Sequence, residues 1–173
     1  METVLPKRKS HHLQGYDYSQ NGAYFITICT HQRRMLFGPN RAPVGADSIS
    51  ARMAARVFRE IIGQYPAAQC RYFVVMPNHF HALVEIERAR ADMESAPTII
   101  SIVQAFKRYY NVEYIRLFKR GQAAPFDKHL WQRSFHDHVI RNETDYRMIA
   151  EYIQSNPRLW HKDCFYEEPS HEP

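Results

Sequence analysis

One short run of residues constrains this chain more than any other. In Val74-Val75-Met76-Pro77-Asn78-His79-Phe80-His81-Ala82-Leu83-Val84-Glu85-Ile86, two apolar segments flank Pro77-Asn78-His79, a turn signal that asks for an antiparallel pair of strands. Side chains alternate across a strand, so Phe80, Ala82, Val84 and Ile86 share one face and His79, His81, Leu83 and Glu85 the other. The first face is core. The second sets two imidazoles side by side, an arrangement that can occupy two cis positions on a divalent cation.

A second pattern comes late, in Asn142 to Pro157. Asn142 is a good N-cap, Glu143 and Asp145 stand in the first turn, and Tyr146, Ile149, Ala150 and Ile153 recur at helical spacing. Pro157 disfavours continuation beyond Asn156. Met148, Tyr152 and Asn156 form a neighbouring stripe on this helix, so Tyr152 can face a site instead of the core. A phenol ionises only near pH 10 and needs help as a nucleophile, which a metal supplies while polarising the electrophile. His79, His81 and Asn156 are candidate ligands for a hard ion, Mg2+ or Mn2+, with positions left for phosphate oxygens. The plainer alternative makes Tyr152 a core aromatic and Asn156 a helix cap.

These segments resemble the single-tyrosine HUH transposases, an IS200-like group that includes the REP-associated tyrosine transposases. The resemblance lies in PNHFH at 77–81, WQRSFHDHVIRN at 131–142 and EYIQSNP at 151–157, in the family's order. It implies that His79 and His81 are the HUH histidines, Tyr152 the nucleophile and Asn156 the residue completing the metal site. It further implies DNA strand cleavage and transfer through a 5′-phosphotyrosine on palindromic hairpin DNA. Metal-dependent hydrolysis by water, or a non-catalytic ferredoxin-like nucleic-acid-binding module, are the competing readings. The family contains both monomers and homodimers, so either state is open.

The rest of the chain fits DNA as partner. Residues 106–133 carry Lys107, Arg108, Arg116, Lys119, Arg120, Lys128 and Arg133 against Glu113 and Asp127, a net +5 that equals the whole chain's excess. Trp131 and several Phe and Tyr are interleaved with these cations, a mixture suited to phosphates and unstacked bases, so Trp131 joins the seven as a candidate nucleic-acid contact. No apolar run approaches a membrane span and no small-molecule cofactor motif stands out, so a cytoplasmic, nucleoid-associated protein is expected. Three cysteines without a C-x-x-C pair suggest neither a disulfide framework nor a cysteine zinc site.

His136-Asp137-His138 is a second His-x-His on a predicted strand and on spacing alone rivals the first. His138, which falls at a position shared with the family, is expected near the site, contacting phosphate or supporting Tyr152; His136 is expected at the surface or facing DNA. The predicted order is strand 23–30, helix 50–64, strands 70–76 and 80–86, helix 97–118, strand 130–140 and helix 142–156. That is an α+β chain with a ferredoxin-like antiparallel sheet, helices on one face, and the tyrosine on a C-terminal helix. The expected organisation is a basic tail (1–22), a catalytic domain (23–157) and a C-terminal tail (158–173) that the sequence does not place.

Overall fold

The computed structural model describes residues 16–18, 20–38, 48–87 and 97–166. Residues 1–15, 19, 39–47, 88–96 and 167–173, and with them most of the expected N-terminal tail, lie outside the described residues. The elements are β1 (Gly22–Cys29), α1 (Ile49–Gly63), β2 (Ala68–Met76), β3 (His79–Ile86), α2 (Ile99–Lys119), β4 (His136–Ile140) and α3 (Glu143–Ser155). The strands form one antiparallel sheet in the order β2-β3-β1-β4. This is the split βαβ order: β1-α1-β2 and β3-α2-β4 are both crossovers with a strand between their ends. Right-handed crossovers put both helices on one face.

That face is dry. Tyr24, Ile26 and Ile28 of β1 and Phe80, Ala82, Val84 and Ile86 of β3 pack on Val57, Phe58 and Ile61 of α1 and Ile102, Val103 and Phe106 of α2. Both helices begin where the sequence supplies a cap. Ser48 Oγ accepts from Ala51 N, while Thr98 and Ser101 form a reciprocal capping box.

The expectation that the helices share one face holds for α1 and α2 but not for α3. Ala150 and Ile153 of α3 pack with Leu83, Phe25, Tyr72 and Val74 on the opposite face of the sheet. The reason lies in β3, which is buried on both sides and needs apolar cover over Leu83 as well as over Phe80. Tyr146 Oη, donating to Glu85 Oε1 at 2.8 Å, ties α3 to that strand.

The last strand is also shorter than its predicted span of 130–140. Before His136 the chain makes only an isolated bridge, Trp131 to Thr30. The carbonyls of Gln132 and Ser134 accept instead from Lys107 Nζ, at 2.8 and 2.9 Å, so they are withdrawn from any strand ladder.

Candidate active site

The face covered by α3 carries the candidate residues. In register across the sheet, Thr27 of β1 lies between His81 of β3 and His136 of β4, and one row on, Cys29 is opposite His79. His79 and His81 are 0 % and 1 % exposed. Their Nε2 atoms lie 2.9 Å apart.

Two lone pairs cannot face each other at that distance, so the network fixes where the protons sit. Asn78 Nδ2 donates to Phe165 O at 2.9 Å, which turns Asn78 Oδ1 toward His79 Nδ1, 2.8 Å away. His79 therefore carries its proton on Nδ1 and presents a bare Nε2. His81 Nε2–H donates to it, and His81 Nδ1, 2.8 Å from Thr27 Oγ1, accepts from that hydroxyl. A hydroxyl can also accept, so Thr27 can serve the other tautomer, in which His81 Nε2 is bare. Burial, then the charge of His81, pulls the His79 pKa well below the ordinary imidazole value; burial also lowers that of His81. Both rings are neutral at pH 7, the state a metal ligand requires.

The C-terminal helix brings the phenol and the amide. Tyr152, 37 % exposed, sets its hydroxyl 3.3 Å from His81 Nε2, with its ring edge-on to Phe25. Asn156, one turn on at the helix cap, is 2 % exposed. The sequence-derived set of His79, His81, Tyr152 and Asn156 thus meets in one place, all from a single chain.

One member of the cluster was not expected. Asp163, from the stretch the sequence left as a tail, is buried at its centre. Its Oδ2 accepts from Tyr152 Oη at 2.6 Å and from Asn156 Nδ2 at 2.7 Å, and lies 3.6 and 3.8 Å from Nε2 of His81 and His79. Burial pushes the Asp163 carboxyl up, but the nearby His81 ring and the hydrogen bonds from Tyr152 and Asn156 outweigh it and hold the group well below the usual carboxylate range. Burial first, then the hydrogen bond to this carboxylate and its charge, raises the Tyr152 phenol above its ordinary value. The available sequence signal was Trp160 and Phe165 flanking the acid. Trp160 packs fully buried on Met76, and Phe165 lies 4.8 Å, centroid to centroid, from the His79 ring. Such a segment folds back because its aromatics need cover.

The donor set fits a divalent cation. Donor separations of 2.9, 3.6 and 3.8 Å among His79, His81 and Asp163 are close to the cis edge of an octahedron, about 3 Å for bonds near 2.1 Å. Asn156 Oδ1 is buried with no hydrogen-bond partner, an acceptor left over beside two imidazoles and a carboxylate. A buried acceptor without a donor costs about 1–3 kcal/mol, which a cation at this cluster would offset.

Other expectations change. His138 does not reach Tyr152: its side chain is 54 % exposed, and its Nε2 pairs with Asp145 Oδ2 at 2.8 Å, joining β4 to the start of α3. His136 turns its ring toward Phe165, at 6.1 Å. Trp131 is a core residue, packed among Phe37, Phe106 and Tyr110, so its ring is closed to bases. Lys107 holds two backbone carbonyls, which gives it a structural task. Arg108, Arg116, Lys119, Arg120, Lys128 and Arg133 are exposed, Arg116 in an ion pair with Glu113; those on α2 lie across the sheet from α3.

Among the described residues no helix is long and apolar enough to cross a membrane. Residues 19–156 match the family described as "Transposase IS200 like". A Haemophilus influenzae protein described only as "Uncharacterized protein" is 32 % identical over 92 % of this chain and 93 % of its own. A second from that organism, "Putative REP-associated tyrosine transposase", is 26 % identical over 82 % of this chain and 73 % of its own. A solved structure, "Structure of the REP associates tyrosine transposase bound to a REP hairpin", aligns with TM-score 0.59 and 22 % identity over 87 % of this chain and 74 % of that one. At that identity the likeness concerns the fold.

Proposed function

Because the chain belongs to the IS200-like transposase family, we propose that it cleaves and rejoins single-stranded DNA beside a hairpin, with Tyr152 as the nucleophile. The observation that carries this reading is the Tyr152 hydroxyl, 3.3 Å from His81 Nε2 at the edge of a compact set of donors. His79, His81, Asp163 and Asn156 would hold a Mg2+ or Mn2+ ion, which when bound supplies Lewis-acid charge at a phosphate oxygen. Asp163 and Phe25 orient the phenol, and Thr27 and Asn78 orient the imidazoles. The part-exposed Tyr152 phenol gives its proton to solvent as Oη bonds to phosphorus and the P–O3′ bond breaks, and the leaving oxygen takes up a proton, giving a 5′-phosphotyrosine and a free 3′-hydroxyl. The ester exchange preserves a reactive linkage, so a 3′-hydroxyl can reverse the step and join another strand.

The related protein bound to a REP hairpin supports hairpin DNA as the substrate class. Arg108, Lys119, Arg120, Lys128 and Arg133 are the exposed cations we assign to its backbone phosphates; their contribution should weaken as salt rises. The test is incubation with hairpin-bearing single-stranded oligonucleotides and Mg2+ or Mn2+, followed by a denaturing gel. A protein–DNA adduct is expected from the wild type and none from Tyr152→Phe, with hairpin binding retained. Cleaved ends without attached protein would point to water as the nucleophile. Binding without any cleavage would leave a binding module.

A further inference from the structure

The loop after β1 brings a guanidinium to the rim of the site. Thr30 donates to Asn78 O through both its amide, at 3.0 Å, and its hydroxyl, at 2.8 Å, while Phe37 N donates to Pro77 O at 3.0 Å. Both ends of the loop are thus tied to the turn that carries His79. Between these ties Gln32 and Arg33 have φ of 54° and 53°, a left-handed conformation that residues with a β-carbon rarely adopt, here twice in succession. Such backbone persists where the surroundings impose it and is common where a side chain must be aimed at a functional site.

The side chain so aimed is Arg33. Its Cζ lies 5.4 Å from the Phe165 ring centroid, and that ring is 4.8 Å from the His79 ring and 6.3 Å from the His81 ring. We propose that Arg33, braced on Phe165, binds a backbone phosphate next to the scissile one and so fixes the path of the strand across the histidine pair. This rests on the strand-cleavage reading above. The guanidinium stands one aromatic ring away from the imidazoles. From there its side chain can reach a phosphate next to the one held at the histidine pair. Chemistry agrees with position: a planar fork matches phosphate oxygens bidentately, and stacking on an aromatic ring holds the fork in one orientation. Arg33 stands outside residues 106–133, the stretch that holds the cations identified from sequence.

The test is single-turnover adduct formation with oligonucleotides in which one flanking phosphate at a time is a neutral methylphosphonate, using wild type, Arg33→Gly and Arg33→Lys. Glycine accepts the left-handed backbone and removes the side chain, which separates a lost contact from a disturbed loop. Arg33→Gly should slow adduct formation by about 10- to 100-fold, as expected for a lost substrate-positioning contact, with Arg33→Lys between it and wild type. Mn2+ affinity should stay within about twofold of wild type, since Arg33 is not a donor in the cluster. One methylphosphonate position should slow the wild type by a similar factor and cost Arg33→Gly nothing more. Additive losses at every position, an unchanged rate in Arg33→Gly, or loss of Mn2+ binding would each overturn the assignment while leaving strand cleavage intact. Absence of any adduct from the wild type would overturn both.

Discussion

Two His-x-His pairs stand on the same face of one sheet, in register with a shared neighbour, and their surroundings make them chemically different. His81 and His136 both lie opposite Thr27. His79 and His81 are on β3, an interior strand between β1 and β2, and are fully buried under α3 and the segment at 160–165. His136 and His138 are on β4, at the sheet edge, where His138 is half exposed and paired with Asp145. Burial strips the interior imidazoles of protons, and tertiary packing surrounds them with a carboxylate, an amide and a phenol. The edge pair has the spacing without the enclosure, so identical spacing yields two different chemical environments according to strand position.

The largest expected contrast comes from one alanine on each strand. His81→Ala should reduce adduct formation by about 10³-fold or more, the scale of losing a principal electrostatic contributor to a transition state, while His138→Ala should stay within about threefold. Equal losses, read from initial rates on one hairpin oligonucleotide, would erase the distinction between the pairs. Asp163 is what most separates the two environments. Asp163→Asn should weaken Mn2+ binding by about 10- to 100-fold, measured by calorimetric titration. Next is Thr27, which touches the His81 ring: Thr27→Val should cost roughly 10-fold in Mn2+ affinity with little change in fold, because a ring nitrogen loses the partner that sets its tautomer.

The smallest effect concerns why β4 is short. Lys107, half-buried against the carbonyls of Gln132 and Ser134, has its pKa pulled down from 10.5 to about 8 by burial. Between those values the unfolded chain binds more protons than the folded one, so stability rises with pH across that window and is flat below it. The gain should be on the order of 1 kcal/mol, allowing for the solvent access of the group, and absent in Lys107→Met. Urea titrations at pH 7.5 and 10 would measure it.

Local pattern carried much of this into view from the sequence. The alternation of Ala23–Cys29 and Phe80–Ile86 and the turn at Pro77-Asn78 gave the strands, because a period of two leaves little choice when both faces are buried. Tyr152 and Asn156 were legible as a stripe beside the apolar one on α3. What local pattern could not carry was long-range capture. Lys107 takes the carbonyls that would have extended β4, Trp131 fills a gap between Phe37 and Tyr110, and Trp160 folds the chain back to deliver Asp163. Each depends on a partner from 21 to 94 residues away in the chain, beyond the reach of a window read along it.

The most direct measurement is Mn2+ titration of the wild type and of the four single alanine variants at His79, His81, His136 and His138. One ion per chain should bind the wild type and the two β4 variants with similar affinity, and binding should be lost in His79→Ala and His81→Ala. Retention of the ion without either β3 imidazole, or its loss with the β4 pair, would contradict the assignment of the metal to the enclosed strand.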